Sequence, residues 1–363
     1  MKIRNLNLAL WQGFLVTFPF YFLPSGYPRI SDFFIVAILG RTLFEGKFYL
    51  DRAARPLLAV LTAFVAYIFG VNLVFSLNLI EGQFLQSSIF YIYNGLFFTT
   101  ALVLFARHRE EFIAATLRGV LISLAVQVPL GLYFLQQGEV RQTIFFNNPN
   151  QLGYYALLAA AVVAYCAGVV KPKPAVVVAA LSGCLFLALI SLSKAAIIGA
   201  VLILALEGFR RPKLGLALAA ALVIFATAVP VGNKIVTTAV DRIESIGDQG
   251  DDTIEGRGYD RIVKNPQYLA FGSGEGRFSR FNVYGGKELH SVFGTVLFSY
   301  GLVGSALGLL FLGLLCGRMG AHVQPLLPVA FYGITHQGLR LTMLWCVLAI
   351  AWCTWHLARE RPA

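Results

Sequence analysis

The chain has 363 residues, of which 58% are hydrophobic and only 13% charged, and its mean hydropathy is +0.72. A soluble domain carries about 25% charged residues, so this composition sets an ordinary soluble domain aside. The net charge of +11 sits mostly between apolar segments, where it would set topology rather than bind nucleic acid.

Apolar segments recur along the chain and predict an all-α polytopic membrane protein of about 12 transmembrane helices. The spans read from the sequence are 7–24, 30–44, 56–76, 85–106, 111–135, 150–170, 174–192, 194–209, 213–231, 289–316, 323–336 and 339–357. The second and eleventh are short, and Pro325 and Pro328 interrupt the eleventh. Lys2 and Arg4 precede a first run too long for the core of a signal peptide, and no Ala-x-Ala site follows it.

Basic residues alternate with the spans. Lys2, Arg4, Arg41, Lys47, Arg52, Arg55, Arg107, Arg109, Lys171, Lys173, Arg210, Arg211, Lys213, Arg318, Arg359 and Arg361 fall on one side, while Arg29, Arg141, Lys194 and Arg340 fall on the other. The positive-inside bias puts both termini in the cytoplasm and the segment 232–288 outside. Three regions follow: helices one to nine over 1–231, a large outer loop with short helices over 232–288, and helices ten to twelve with a short tail over 289–363.

The loop holds 9 of the 18 acidic residues and many basic ones. Arg257, Arg261 and Lys264 lie four and three apart, on one face of a short helix stopped by Asn265-Pro266. Gly272-Ser273-Gly274-Glu275-Gly276 reads as a tight, flexible turn.

Chemistry points first to His290, where a titratable ring meets the start of an apolar run; an imidazole can take a proton near neutral pH. The plain alternative is an interfacial histidine that caps its helix or bonds to Glu288. Arg257 offers a forked cation for phosphate oxygens or a salt bridge to Asp252, Glu255 or Asp260. Arg261 reads the same way more weakly. Lys194 stands at an almost linker-free junction, Ser191-Leu192-Ser193-Lys194, and would meet a pyrophosphate or a lipid headgroup. Arg340 and His336 flank the last outer turn. Asn147 and Asn150 either shape a glycan site or cap the next helix. His108, His322 and His356 read as interfacial. The five cysteines lie in apolar stretches, and no His, Cys, Asp or Glu cluster shows metal spacing. Neither a metal nor a cofactor is expected.

Phe146-Asn147-Asn148-Pro149-Asn150-Gln151, Ser191-Leu192-Ser193-Lys194, Gly256-Arg257 with Asn265-Pro266 and Gly272-Ser273-Gly274, and Glu288-Leu289-His290-Ser291 running to Tyr300-Gly301-Leu302-Val303-Gly304 together carry a resemblance. Their order around a large loop resembles the O-antigen ligase and Wzy-type polysaccharide polymerase superfamily. The resemblance covers most of 140–310. The family's arginine after the serine pair falls on Lys194, and its common His-Asn becomes His290-Ser291. The resemblance implies an inverting, metal-independent glycosyltransferase of the bacterial cytoplasmic membrane with a periplasmic site. His290 would be the catalytic base. Arg257, Lys194, Arg261 and Arg340 would hold the pyrophosphate, and Asn147, Asn150, Glu288 and His336 would shape the glycan site. The implied partners are an undecaprenyl-pyrophosphate-linked glycan donor, a saccharide or lipid A-core acceptor, membrane lipids, and polysaccharide assembly or chain-length proteins. Polymerase is the first expectation, ligase the second, and a lipid-linked glycan transporter or flippase the third.

Overall fold

A computed structural model describes residues 6–24, 27–46, 48–137, 141–228, 232–246, 253, 255–281 and 287–360. Lys2, Arg4, Lys47, Asp252 and Arg361 lie outside them. The fold is all-α, and its helices are α1 (Leu6–Thr17), α2 (Ile30–Phe44), α3 (Arg55–Leu79), α4 (Gln83–His108), α5 (Glu110–Leu135), α6 (Pro149–Val170), α7 (Pro174–Ser191), α8 (Lys194–Arg210), α9 (Pro212–Ala228), α10 (Gly232–Glu244), α11 (Asp260–Lys264), α12 (Val292–Cys316), α13 (Leu326–Thr335) and α14 (Thr342–Glu360).

The helices other than α10 and α11, which lie in the polar segment, fall where the apolar runs lie, but the twelve-span architecture is corrected. Six helical stretches among the described residues are long and apolar enough to cross a membrane: Arg52–Leu79, α4, α5, α6, α7 and α12. The count is seven if α9 and α10, bent by 111° at their break, form one span. Length gives the physical reason. At 1.5 Å per residue the 12 residues of α1 reach about 18 Å and the 10 of α13 about 15 Å, against a hydrocarbon layer of about 30 Å. The 15 residues of α2 and the 17 each of α8 and α9 also stop short. In α14 the last two turns carry His356, Arg359 and Glu360. The even alternation that put both termini in the cytoplasm and the 232–288 segment in the periplasm of a bacterial membrane falls with the count.

The centre of the bundle is α6, whose best apolar window is 83% buried. It packs against α5, α7, α8 and α14. Its small residues, Ala156 and Ala159 to Ala161 among them, are fully enclosed. Asn148 caps it by accepting from the Gln151 amide at 2.9 Å, and Pro149 fills the first turn, where no amide partner is needed. Around it Trp11, Phe14, Phe97, Phe98, Phe105 and Trp345 fill the core at zero or 1% exposure. Two buried polar pairs tie this core: the Trp11 indole donates to Thr116 at 2.9 Å, and Ser123 meets the Tyr155 hydroxyl at 2.6 Å.

Helix α12 is broken in its interior. Gly301 adopts φ 65° and ψ −168°, which interrupts the hydrogen-bond ladder. The segment 269–274 repairs it from outside. The Ser273 and Gly274 amides donate to the carbonyls of Phe298 and Ser299 at 3.0 and 2.9 Å, and the Leu302 amide donates to Leu269 at 2.7 Å. So the glycine run read as a flexible turn is instead buried from Gly272 to Gly276 and held by backbone bonds. Both glycines are required by space and by dihedral. A Cβ on Gly301 would lie 2.5 Å from the Ala270 oxygen, and one on Gly272 (φ 93°) would lie 2.3 Å from the Ser299 oxygen.

Gly301→Ala and Gly272→Ala are therefore each expected to destabilise the protein by at least about 2 kcal/mol through the left-handed backbone, with the clash added. Gly313→Ala, on the same helix with open space around it, is the control and leaves the melting temperature level or slightly raised. Thermal unfolding of the three variants under one set of conditions measures the contrast.

Candidate functional site

Two groups of cations gather at the end of the bundle where α6, α8 and α14 begin and α7 and α13 end. They differ in how they are partnered. The first belongs to the loop. Glu275 has a 1% exposed side chain and takes the Arg340 guanidinium at 2.5 Å, the Tyr300 hydroxyl at 2.5 Å and the Gln337 amide at 3.3 Å. Its backbone amide donates to Asn72 at 2.8 Å. Arg340 turns its other nitrogen to Glu288 at 3.1 Å. Burial alone would lower the Arg340 pKa, but the charges of Glu275 and Glu288 outweigh it and raise the pKa above the ordinary guanidinium value.

Arg261 is fully buried. It donates to the Lys287 carbonyl at 2.6 Å and faces the rings of Phe278, Phe281 and Phe298 at 5.5, 5.2 and 5.9 Å. Burial lowers its pKa. Arg280 is similar: it donates to the Ser273 and Gly274 carbonyls and lies 4.5 Å over Phe281, and burial pushes its pKa down to about 10. Thus Arg340 is neutralised by two carboxylates, while Arg261 is roofed by phenylalanines.

The second group lies around the junction of α7 and α8. Leu192 takes a left-handed conformation (φ 50°) that turns the chain, and Ser193 and Lys194 start α8. Gly153 of α6 permits this turn to come close, since a Cβ there would lie 2.5 Å from the Ser191 hydroxyl. Arg141 is tied to the same turn. It donates to the Ser191 carbonyl at 3.3 Å and to the Asn150 side chain at 3.2 Å. Lys194 reaches the Ser245 carbonyl at 3.2 Å, which draws the end of α10, and with it Arg242, to the junction.

Asn150 links this junction to Arg257. Its carbonyl accepts from the Tyr332 hydroxyl at 3.1 Å, and Tyr332 is stacked between Tyr154 at 4.1 Å and His336 at 4.5 Å. His336 meets the Thr335 hydroxyl at 2.9 Å, and Arg257 donates to the Thr335 carbonyl at 2.7 Å. His290 adjoins through the backbone, its amide donating to the Arg257 carbonyl at 3.1 Å. Ser291 caps α12 by accepting from the Gly294 amide at 3.1 Å. Asn147 supports the α6 cap, its amide donating to Gln151 at 3.2 Å.

Arg257, His290, His336, Asn150 and Lys194 thus lie along one connected surface. Arg261 and Arg340 serve the loop, and Glu288 is engaged by Arg340. Sequence reasoning missed Arg141 and Arg242 as a pair. Both stand in plain view as polar residues, but the Ser191 and Ser245 contacts that bring them together are long-range.

An apolar cavity of about 750 Å³ lies between α5, α7 and α9, with Leu132, Leu189 and Phe225 among its walls. None of His290, Arg257, Lys194, Arg261 or Arg340 lines it. No protein-family model and no curated protein matches this chain.

The glycosyltransferase expectation is corrected on these grounds. It needed a twelve-span frame and a greasy cleft opening directly on His290 and its cations. The frame has six such helices, or seven with the bent pair, and the cavity is walled by other residues. The polymerase, ligase and flippase expectations, which rested on the same frame, go with it.

Removing the Arg340 side chain leaves Glu275 charged and buried with only neutral donors. Arg340→Ala is expected to cost about 3 kcal/mol or more. Adding Glu275→Gln to that variant should recover part of the loss, and a denaturant double-mutant cycle reads the coupling.

Proposed function

We propose that this protein binds an anion of the phosphate class at the surface formed by Arg141, Lys194, Arg242 and Arg257, and that the ligand carries an apolar chain. One observation carries the reading: Arg141 is bonded to the α7–α8 junction, the Lys194 bond to the Ser245 carbonyl brings the end of α10 with Arg242 to the same junction, and neither arginine forms an ion pair with a described residue. Burial first, and then the charge of Arg242, lower the Arg141 pKa. The Arg242 Nε atom is buried and makes no hydrogen bond. Two guanidinium groups kept together in this way repel, and an anion with several oxygens offsets that cost through charge-assisted bonds to both. Lys194 and Arg257 add charge on either side of Asn150 and Tyr332.

The chain of the ligand is argued from the cavity. Leu189 lines it, and Ser191, two residues further along α7, is the residue whose carbonyl accepts from Arg141. Leu132 near the end of α5 and Phe225 of α9 close the same end. A headgroup at Arg141 would therefore sit above an apolar slot, the arrangement expected for an amphiphile.

Titration calorimetry on the detergent-solubilised chain tests this with pyrophosphate and with a long-chain alkyl phosphate. Arg141→Gln and Arg242→Gln should each weaken both ligands about 10- to 100-fold, as loss of a charge-assisted bond worth about 1.5–3 kcal/mol implies. The alkyl phosphate should bind more tightly than pyrophosphate, and binding should fall with added salt. Arg359→Gln, in the last turn of α14, should change nothing. Equal affinity in the wild type and in the double Arg141→Gln, Arg242→Gln variant would sink the reading.

A further inference from the structure

The far end of α14 carries a second cluster, independent of the anion surface. From Thr342 beside Arg340 to Glu360 the helix runs 19 residues, about 27 Å. There His356 Nε2 lies 2.8 Å from Asp51 Oδ2 and 3.2 Å from Glu360 Oε1. All three donor atoms fall within 4.8 Å of one another. We propose that Asp51, His356 and Glu360 form a binding site for a divalent transition-metal ion such as Zn²⁺, with water completing the coordination.

Four features support it. The separations of 2.8 and 3.2 Å approach the roughly 3.4 Å edge of a tetrahedron built on metal–ligand bonds of about 2.1 Å. The ring nitrogen is buried, and despite its nearness to two carboxylates it is aligned for a hydrogen bond to neither. Each donor is also held in place. Asp51 uses its other oxygen, Oδ1, to accept from the Ala53 amide at 2.9 Å at the start of the short turn Arg52–Ala54, which leaves Oδ2 for the cluster. The His356 ring is stacked on Trp352 at 4.9 Å and meets the edge of Phe105 at 6.0 Å, while Glu360 follows one turn later on the same face. Finally, one neutral imidazole with two carboxylates is a donor set suited to borderline metals.

Arg109 is the competitor. Its Nη2 lies 3.2 Å from Glu360 Oε1 and 3.8 Å from Asp51 Oδ2, and its side chain is 40% exposed and rests over Phe105. One positive charge against two carboxylates leaves the cluster with net negative charge when His356 is neutral. The guanidinium can swing outward as a divalent ion enters.

The test is Co²⁺ titration of the purified full chain, followed by absorption, with Zn²⁺ displacement. One ion per chain should bind and give the intense visible bands of a low-symmetry four-coordinate site, and Zn²⁺ should abolish them. His356→Gln and Asp51→Asn should each weaken binding by more than about 100-fold. Asn at 51 retains the oxygen that accepts from Ala53, so that variant keeps its turn, and an unchanged melting temperature without metal verifies it. Arg109→Gln should tighten binding by removing the competing charge. A wild type that shows only the weak spectrum of hydrated cobalt overturns the proposal. So does wild-type affinity in His356→Gln and Asp51→Asn.

Discussion

The break in α12 at Gly301 governs how the polar segment is mounted on the bundle. A helix interrupted among apolar neighbours exposes carbonyls and amides that water does not reach, and each must be paired. Here the pairing comes from residues 269–274, so that the loop becomes a structural part of the bundle. The next residue, Glu275, is then placed in the interior, where Tyr300, Asn72, Gln337 and Arg340 converge on it. The position of Arg340, and through it that of Glu288, follows from that one repair.

This arrangement divides the cations of the segment into two kinds. Arg340, Arg261 and Arg280 hold the fold: carboxylates, carbonyls and aromatic faces occupy their directions. Arg141 is held by the Ser191 carbonyl and the Asn150 side chain, and neither it nor Arg242 forms an ion pair with a described residue. A sequence shows both kinds as the same letter. What separates them, among the described residues, is which partners the fold delivers, and that is settled by contacts across the chain such as Ser191 with Arg141 and Glu275 with Arg340.

The positions of the helices were legible, because apolar runs bounded by Pro149, Pro174 and the Asn148 cap leave a local record. Their ability to cross a membrane was not. Runs of apolar letters overstated the helical length available, since α1, α2 and α13 end one or more turns too soon and α8 and α9 fall short by less than a turn. The glycines at 272–276 were read as a flexible turn because glycine has that freedom; their use here is to let backbone meet backbone. Capping by Asn148 was anticipated as one of two roles for its stretch. The Asp51, His356 and Glu360 group was half visible, as the spacing of His356 and Glu360 by one helical turn, but nothing local points to Asp51.

The enclosure of α6 has a bearing on how the protein is made. One of its faces is covered by α14, the final helix of the fold. During synthesis the helices α7 to α13 are made between α6 and its cover, so an Ala- and Tyr-lined surface remains unmatched until α14 has followed them. Closure of the interior thus waits on a segment far along the chain, and the earlier helices depend in the meantime on their own pairwise packing.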